Sequence, residues 1–167
     1  MKRILTTTLS AGFALLAANA FAETTSNANI SIAEAVAAAE SALGAKAFEA
    51  ELDAGRNGLV YEVALVKEGR ALKAEIDYVT GKLISQNQPN AIARLWPDSD
   101  IKAAQSAPRS LTETIAMVEK STKGEVSEID LDRRNGRHYY EVELVGAQDR
   151  TILVDMKTGA FTPLIDD

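Results

Sequence analysis

The sequence predicts an α+β fold of two tandem modules, each with one helix packed on a three- to four-stranded antiparallel sheet. Three observations predict it. First, Tyr61-Glu62-Val63-Ala64-Leu65-Val66 and Asp77-Tyr78-Val79-Thr80-Gly81 return as Tyr140-Glu141-Val142-Glu143-Leu144-Val145 and Asp155-Met156-Lys157-Thr158-Gly159. Second, the match extends backwards: Ser31-Ile32-Ala33-Glu34 is answered by Ser110-Leu111-Thr112-Glu113, and Leu52-Asp53 by Leu131-Asp132. Internal self-similarity of this kind makes the repeat the structural unit. Third, within each copy the apolar period changes from that of a helix to that of a strand. One helix followed by a meander then gives two layers around one core.

Residues 1–22 read as a signal peptide. Lys2 and Arg3 open it, an Ala/Leu-rich stretch runs from Leu9 to Ala18, and Ala20-Phe21-Ala22 supplies the small residues for cleavage after Ala22. The apolar stretch is shorter than the roughly 20 residues a membrane span needs; a retained anchor is the alternative reading. The expected location is periplasmic or secreted, with a Gram-negative type of signal and no stable membrane insertion once it is removed. Residues 23–30 form a polar leader without periodicity.

The chain carries 18 Lys and Arg against 24 Asp and Glu, a formal net charge of −6. Loss of Lys2 and Arg3 with the signal makes it more acidic still. Nucleic acids and anionic membranes both call for a basic footprint, so this balance argues against them. There is no cysteine. An exported protein without disulfides depends on its core alone.

Module 1 is expected over residues 31–86. Ser31 and Glu34 make a capping box, in which the hydroxyl and the carboxylate each satisfy a backbone amide at the helix start. Ile32, Val36, Ala39 and Leu43 then form one apolar stripe, and Gly44 stands where a helix end favours a left-handed residue. Phe48, Ala50 and Leu52 alternate with Glu49, Glu51 and Asp53, the pattern of a half-buried strand. Gly55-Arg56-Asn57-Gly58 turns the chain, and Tyr61, Val63 and Leu65 share the next inner face. After Glu68-Gly69, Leu72, Ala74 and Ile76 alternate, and Thr80-Gly81 closes a hairpin into Lys82–Ser85.

Module 2, residues 110–165, repeats the design with Ser110 and Glu113 as its box. Leu111, Ile115, Val118 and Thr122 form the stripe, with Gly124 near the stop. Strands follow around Ile129/Leu131, Tyr140/Val142/Leu144 and Ile152/Val154, with turns at Asn135-Gly136 and Thr158-Gly159. Each module lies near the lower size limit for independent folding, so the two should pack on each other or on a partner. The connector, residues 87–109, carries three of the four prolines together with Ile92, Leu95 and Trp96. It either drapes over a sheet and buries Trp96, or presents it as an aromatic anchor for a partner.

A Ser-x-x-Glu helix start, a charged alternating strand, Tyr-Glu-Val-x-Leu-Val and Asp-x-x-Thr-Gly together resemble the PepSY domain, here in tandem. Similar domains occur in propeptides of thermolysin-like secreted metallopeptidases and in small bacterial envelope proteins. The resemblance implies a non-catalytic module that binds protein and inhibits or regulates an envelope or secreted peptidase. No peptidase domain is fused here, so its target would act in trans. The alternative is a sensory or accessory envelope protein that binds a membrane partner without inhibiting any peptidase.

Candidate site residues are few. Asp77 and Asp155, each ahead of Thr-Gly (Thr80-Gly81 and Thr158-Gly159), either close their turns through backbone N–H groups or face a cation or partner. Tyr61 and Tyr140 belong to the core faces. His138 reads as a surface residue, since no HExxH or similar spacing surrounds it. Glu49, Glu51, Asp53, Glu125, Glu128, Asp130 and Asp132 read as solvated strand faces that discourage edge pairing, without a calcium-loop pattern. With no Gly-x-Ser-x-Gly, no Cys and a single histidine, neither an enzyme nor a cofactor is expected. On the sheet face away from the helix, copy one offers Glu62, Ala64, Val66 and Glu75, whereas copy two offers Tyr139, Glu141, Glu143, Val145 and Leu153 beside Thr151, a face more aromatic and more apolar at its ends. That second face should contact either the other repeat or a protein partner.

Overall fold

The computed structural model describes residues 29–87, 96–146 and 151–163. The expected signal peptide, Ile92, Leu95 and residues 164–165 lie outside the described residues. Helix α1 (Ile32–Leu43) leads into strands β1 (Lys46–Gly55), β2 (Gly58–Lys67), β3 (Arg70–Asp77) and β4 (Leu83–Asn87). Helix α2 (Asp98–Ser106) precedes α3 (Leu111–Thr122), which leads into β5 (Val126–Arg134), β6 (Arg137–Leu144), β7 (Thr151–Asp155) and β8 (Phe161–Pro163). Among the described residues no helix is long and apolar enough to cross a membrane.

Both capping boxes form. The Ser31 backbone N–H donates to Glu34 Oε2 at 2.7 Å and the Glu34 N–H to Ser31 Oγ at 3.3 Å. Ser110 and Glu113 repeat this at 2.8 and 3.1 Å. Gly44 ends α1 with φ +57°. At the end of α3 the left-handed residue is Lys123 (φ +60°), one position before Gly124. Its N–H still closes on the Glu119 carbonyl, so the helix ends by the same hydrogen bond without the glycine.

The strands form one antiparallel sheet of eight, in the order β4-β3-β2-β1-β5-β6-β7-β8. Separate sheets of three to four strands therefore give way to a larger one. β1 pairs with β5 at Ala50↔Ile129 and Glu51↔Glu128. Each four-stranded meander would otherwise leave its first strand with unpaired N–H and C=O groups, and mutual pairing satisfies those at its middle. The acidic strands expected to discourage edge pairing are the ones that pair. Because the strand order is palindromic about this seam, the two copies point in opposite directions along the sheet.

Helices α1 and α3 pack side by side on one face. Beneath them Ile32, Val36, Leu111, Ile115 and Val118 meet Val63, Leu65, Ile76, Ile129 and Val142, all at most 1% exposed. Tyr61 and Tyr140 are buried in the same layer.

The other face differs from the alternation read in the sequence. A register shift between Ala47 and Glu49 inserts one extra residue in β1. This bulge moves Phe48 away from the helices and into a second cluster with Ala64, Val66, Ala71, Ile101 and Ala104. Ile101 and Ala104 belong to α2, so the connector supplies a helix of its own that covers this part of the sheet.

Candidate protein-binding surfaces

The two Asp-x-x-Thr-Gly segments are closed turns. Asp77 Oδ1 accepts from the N–H of Val79 (3.1 Å), the N–H of Thr80 (2.6 Å) and Thr80 Oγ1 (2.7 Å). Asp155 Oδ1 accepts from Lys157 (3.1 Å), Thr158 N–H (2.7 Å) and Thr158 Oγ1 (2.8 Å). Gly81 and Gly159 complete the turns at φ +68° and +76°, a region that favours glycine. Hydrogen bonds from Thr80 and Thr158 hold both carboxyls below the usual carboxylate range. One oxygen of each is thereby committed to the turn.

At the seam the outer face gathers carboxylates. Glu49 Oε1 accepts from Trp96 Nε1 at 2.8 Å and from the Leu131 N–H at 3.4 Å. Trp96 is half-buried and stands edge-on to Phe48, with ring centroids 5.2 Å apart. It therefore straps the connector to the sheet. Burial pushes the Glu49 carboxyl up to about 7, against the opposing pull of its two donors. Glu128 is also raised to about 7, by burial and then by its hydrogen bond with Asp130. Burial raises Asp130 too. Lys73 offsets part of this charge by pairing with Glu62 and Glu51, and Arg134 does the same between Asp132 and Glu141. Among the described residues, no three His, Cys, Asp or Glu side chains are grouped so as to hold a metal ion.

Tyr139, Val145 and Leu153 differ in exposure. Tyr139 is half-buried and Leu153 is buried, whereas Val145 is 56% exposed beyond the far end of β6. The copies join at β1–β5 and through α1 and α3, and Leu131 of copy two also packs against the second cluster around Phe48. Most of the exposed large apolar side chains lie in copy one, with Val145 and Phe161 exposed in copy two. Leu83 and Ile84 stand on the open edge strand β4, and Leu59 and Val79 are also exposed near that end. Leu59 and Ile84 line a shallow cavity with Arg56 and Asp77. Sequence reading missed this surface, because Leu59 and Ile84 look like ordinary strand residues until the strand order leaves β4 at the rim.

A larger cavity of about 510 Å³ opens at the opposite end. Its walls are the end of α2, Ala107-Pro108, the start of β6 and the β7–β8 turn. His138 is half-buried there, with Nε2 3.1 Å from Asp100 Oδ1. Tyr61 donates its hydroxyl to the Ile30 carbonyl at 3.0 Å. The matching hydroxyl of Tyr140 has no partner among the described residues.

The family model described as PepSY, "Peptidase propeptide and YPEB domain", matches residues 29–87 and again 110–162. A solved crystal structure from Clostridium difficile 630, a "putative lipoprotein", is similar at 20% identity and a TM-score of 0.43. That similarity covers 77% of this chain and 87% of the other. No curated protein matches.

Proposed function

The chain belongs to the PepSY family, and from that premise we propose that it is a non-catalytic envelope protein that binds and restrains an envelope or secreted peptidase in trans. The observation that carries this reading is the family match over both copies. In this reading residues 31–86 and 110–165 are the two modules, and cleavage after Ala22 delivers the mature chain to the periplasm or the exterior.

The open edge of β4 supports the mechanism. An edge strand presents unpaired N–H and C=O groups that add to an extended partner segment, while exposed side chains set the fit. Leu83 and Ile84 supply those apolar contacts, 38% and 52% exposed. A peptidase cleft that takes substrates as extended strands would accept such an edge. Pairing to β3 would keep the bound backbone from relaxing towards cleavage. Five edge residues bury little area, so the complex should be of the weak or transient class.

The test uses the mature chain from Glu23 as bait in a native envelope extract, followed by assay of the purified components. Recovery of a secreted peptidase with saturable inhibition supports the reading. Recovery of a membrane sensor without inhibition of any peptidase sinks it in favour of an accessory role. The variant Ile84→Lys should weaken inhibition about tenfold or more while leaving the melting temperature nearly unchanged, because an exposed site contributes little to stability.

A further inference from the structure

We propose that the 510 Å³ cleft at the second-copy end of the sheet binds an acidic peptide segment, with Arg137 and Lys157 holding its carboxylate and Ala103 and Pro108 its apolar neighbour. This deepens the protein-binding reading and rests on it.

The repeat provides its own control. Aligning Tyr61 with Tyr140 and Thr80 with Thr158 places Gly58, Leu59 and Val79 opposite Arg137, His138 and Lys157. Copy one therefore has the exposed apolar Leu59 and Val79 where copy two has His138 and Lys157, although Arg56 stands at the copy-one turn. In copy two, α2 and Ala107-Pro108 add a second wall to the sheet end and make a cleft of it. Its volume falls within the roughly 300–1,000 Å³ range of ligand sites.

Around the cleft Arg137, Lys157 and Arg109 face the carboxylates of Asp155 and Asp100, which leaves a small excess of positive charge. Arg137 and Lys157 are exposed, and among the described residues neither has an ion pair within 4.0 Å. Arg109 joins them at the rim by donating from Nη2 to the Thr158 carbonyl at 3.1 Å. The two nearby acids are already engaged. Asp155 lies within the field of Arg137 but spends Oδ1 on three turn donors. Asp100 faces His138 and, at 3.9 Å, Arg133. A basic cleft on a chain of net charge −6 focuses its field on incoming anions. The apolar surface of Ala103 and Pro108 favours a carboxylate carried beside apolar side chains rather than a bare inorganic anion.

The experiment titrates the mature protein with a capped hexapeptide containing two glutamates and two leucines, its glutamine twin, and succinate. The glutamate peptide should bind about tenfold more tightly than either, and binding should weaken as salt screens the charges. Arg137→Ala combined with Lys157→Ala should weaken it about tenfold, at an unchanged melting temperature because both side chains are exposed. Equal binding of the glutamine twin, equal binding of succinate, or an unaffected double variant would each overturn the proposal. So would capture of the native partner by the double variant as efficiently as by the parent, although partner binding itself would then stand. A bait that captures nothing while the peptide still binds would instead remove the partner and keep the cleft.

Discussion

Glu49 is read from sequence as one charge on a solvated strand, yet it lies under Trp96 at the junction of the two copies. Its pH response follows. Glu49 and Glu128 are raised from 4.5 to about 7, so between these values the folded state holds protons that the unfolded chain releases. Their stabilising contribution is complete below about pH 4.5, declines as pH rises to about 7 and is flat above it. Glu34, Asp77, Glu113 and Asp155 act in the other direction, since their lowered values make stability fall as pH drops through the acid range. Thermal melts across pH should therefore peak on the acid side of neutrality. Glu49→Gln should flatten the decline towards pH 7, and an unchanged slope would show that Glu49 does not cause it. The sole tryptophan gives a local readout, because Trp96 emission should titrate with Glu49.

Helices and strands differ in how much of them a sequence discloses. The capping boxes were legible because donor and acceptor sit three residues apart on one chain. Ser31→Ala and Ser110→Ala should each cost about 1 kcal/mol in urea unfolding. The apolar stripes were legible for the same local reason, and Ile115→Ala in the fully buried layer should cost about 2–5 kcal/mol. Phe48 was misplaced because strand facing has a period of two, so a single inserted residue reverses everything on one side of it. Where that residue falls depends on the partner strand. Helix α2 was read only as connector: Ile101 and Ala104 are too few to mark a stripe without knowing that Phe48 faces them.

On the scale of the whole molecule, the seam makes one sheet out of two copies. It is short, with two registered pairs, one of which sets Glu51 opposite Glu128. Two carboxyls placed opposite each other are unfavourable once both are ionised, which the raised Glu128 resists up to about pH 7. Apolar packing of α1 on α3 and the pairing of otherwise open edges outweigh that repulsion. A chain limited to the first copy should consequently fail to fold as a stable monomer, since it exposes the β1 edge and half of the helix layer. Size-exclusion chromatography with circular dichroism should find it unfolded, aggregated or dimeric through β1. A folded monomer of full stability would contradict the seam's role.

The sequence by itself determined the repeat, the α+β class, the capped helices, the inward tyrosines and the Asp-x-x-Thr-Gly turns. All of these arise from contacts within a few residues or from a period along one strand, so they are written where they act. Tertiary structure alone decided that the acidic strands join, that Phe48 turns outward under Trp96, that β4 is an edge among the described strands, and that Arg137 and Lys157 border a cleft. Those outcomes depend on pairing between segments far apart in the chain, where burial and backbone hydrogen bonding outweigh what the local charge pattern favours.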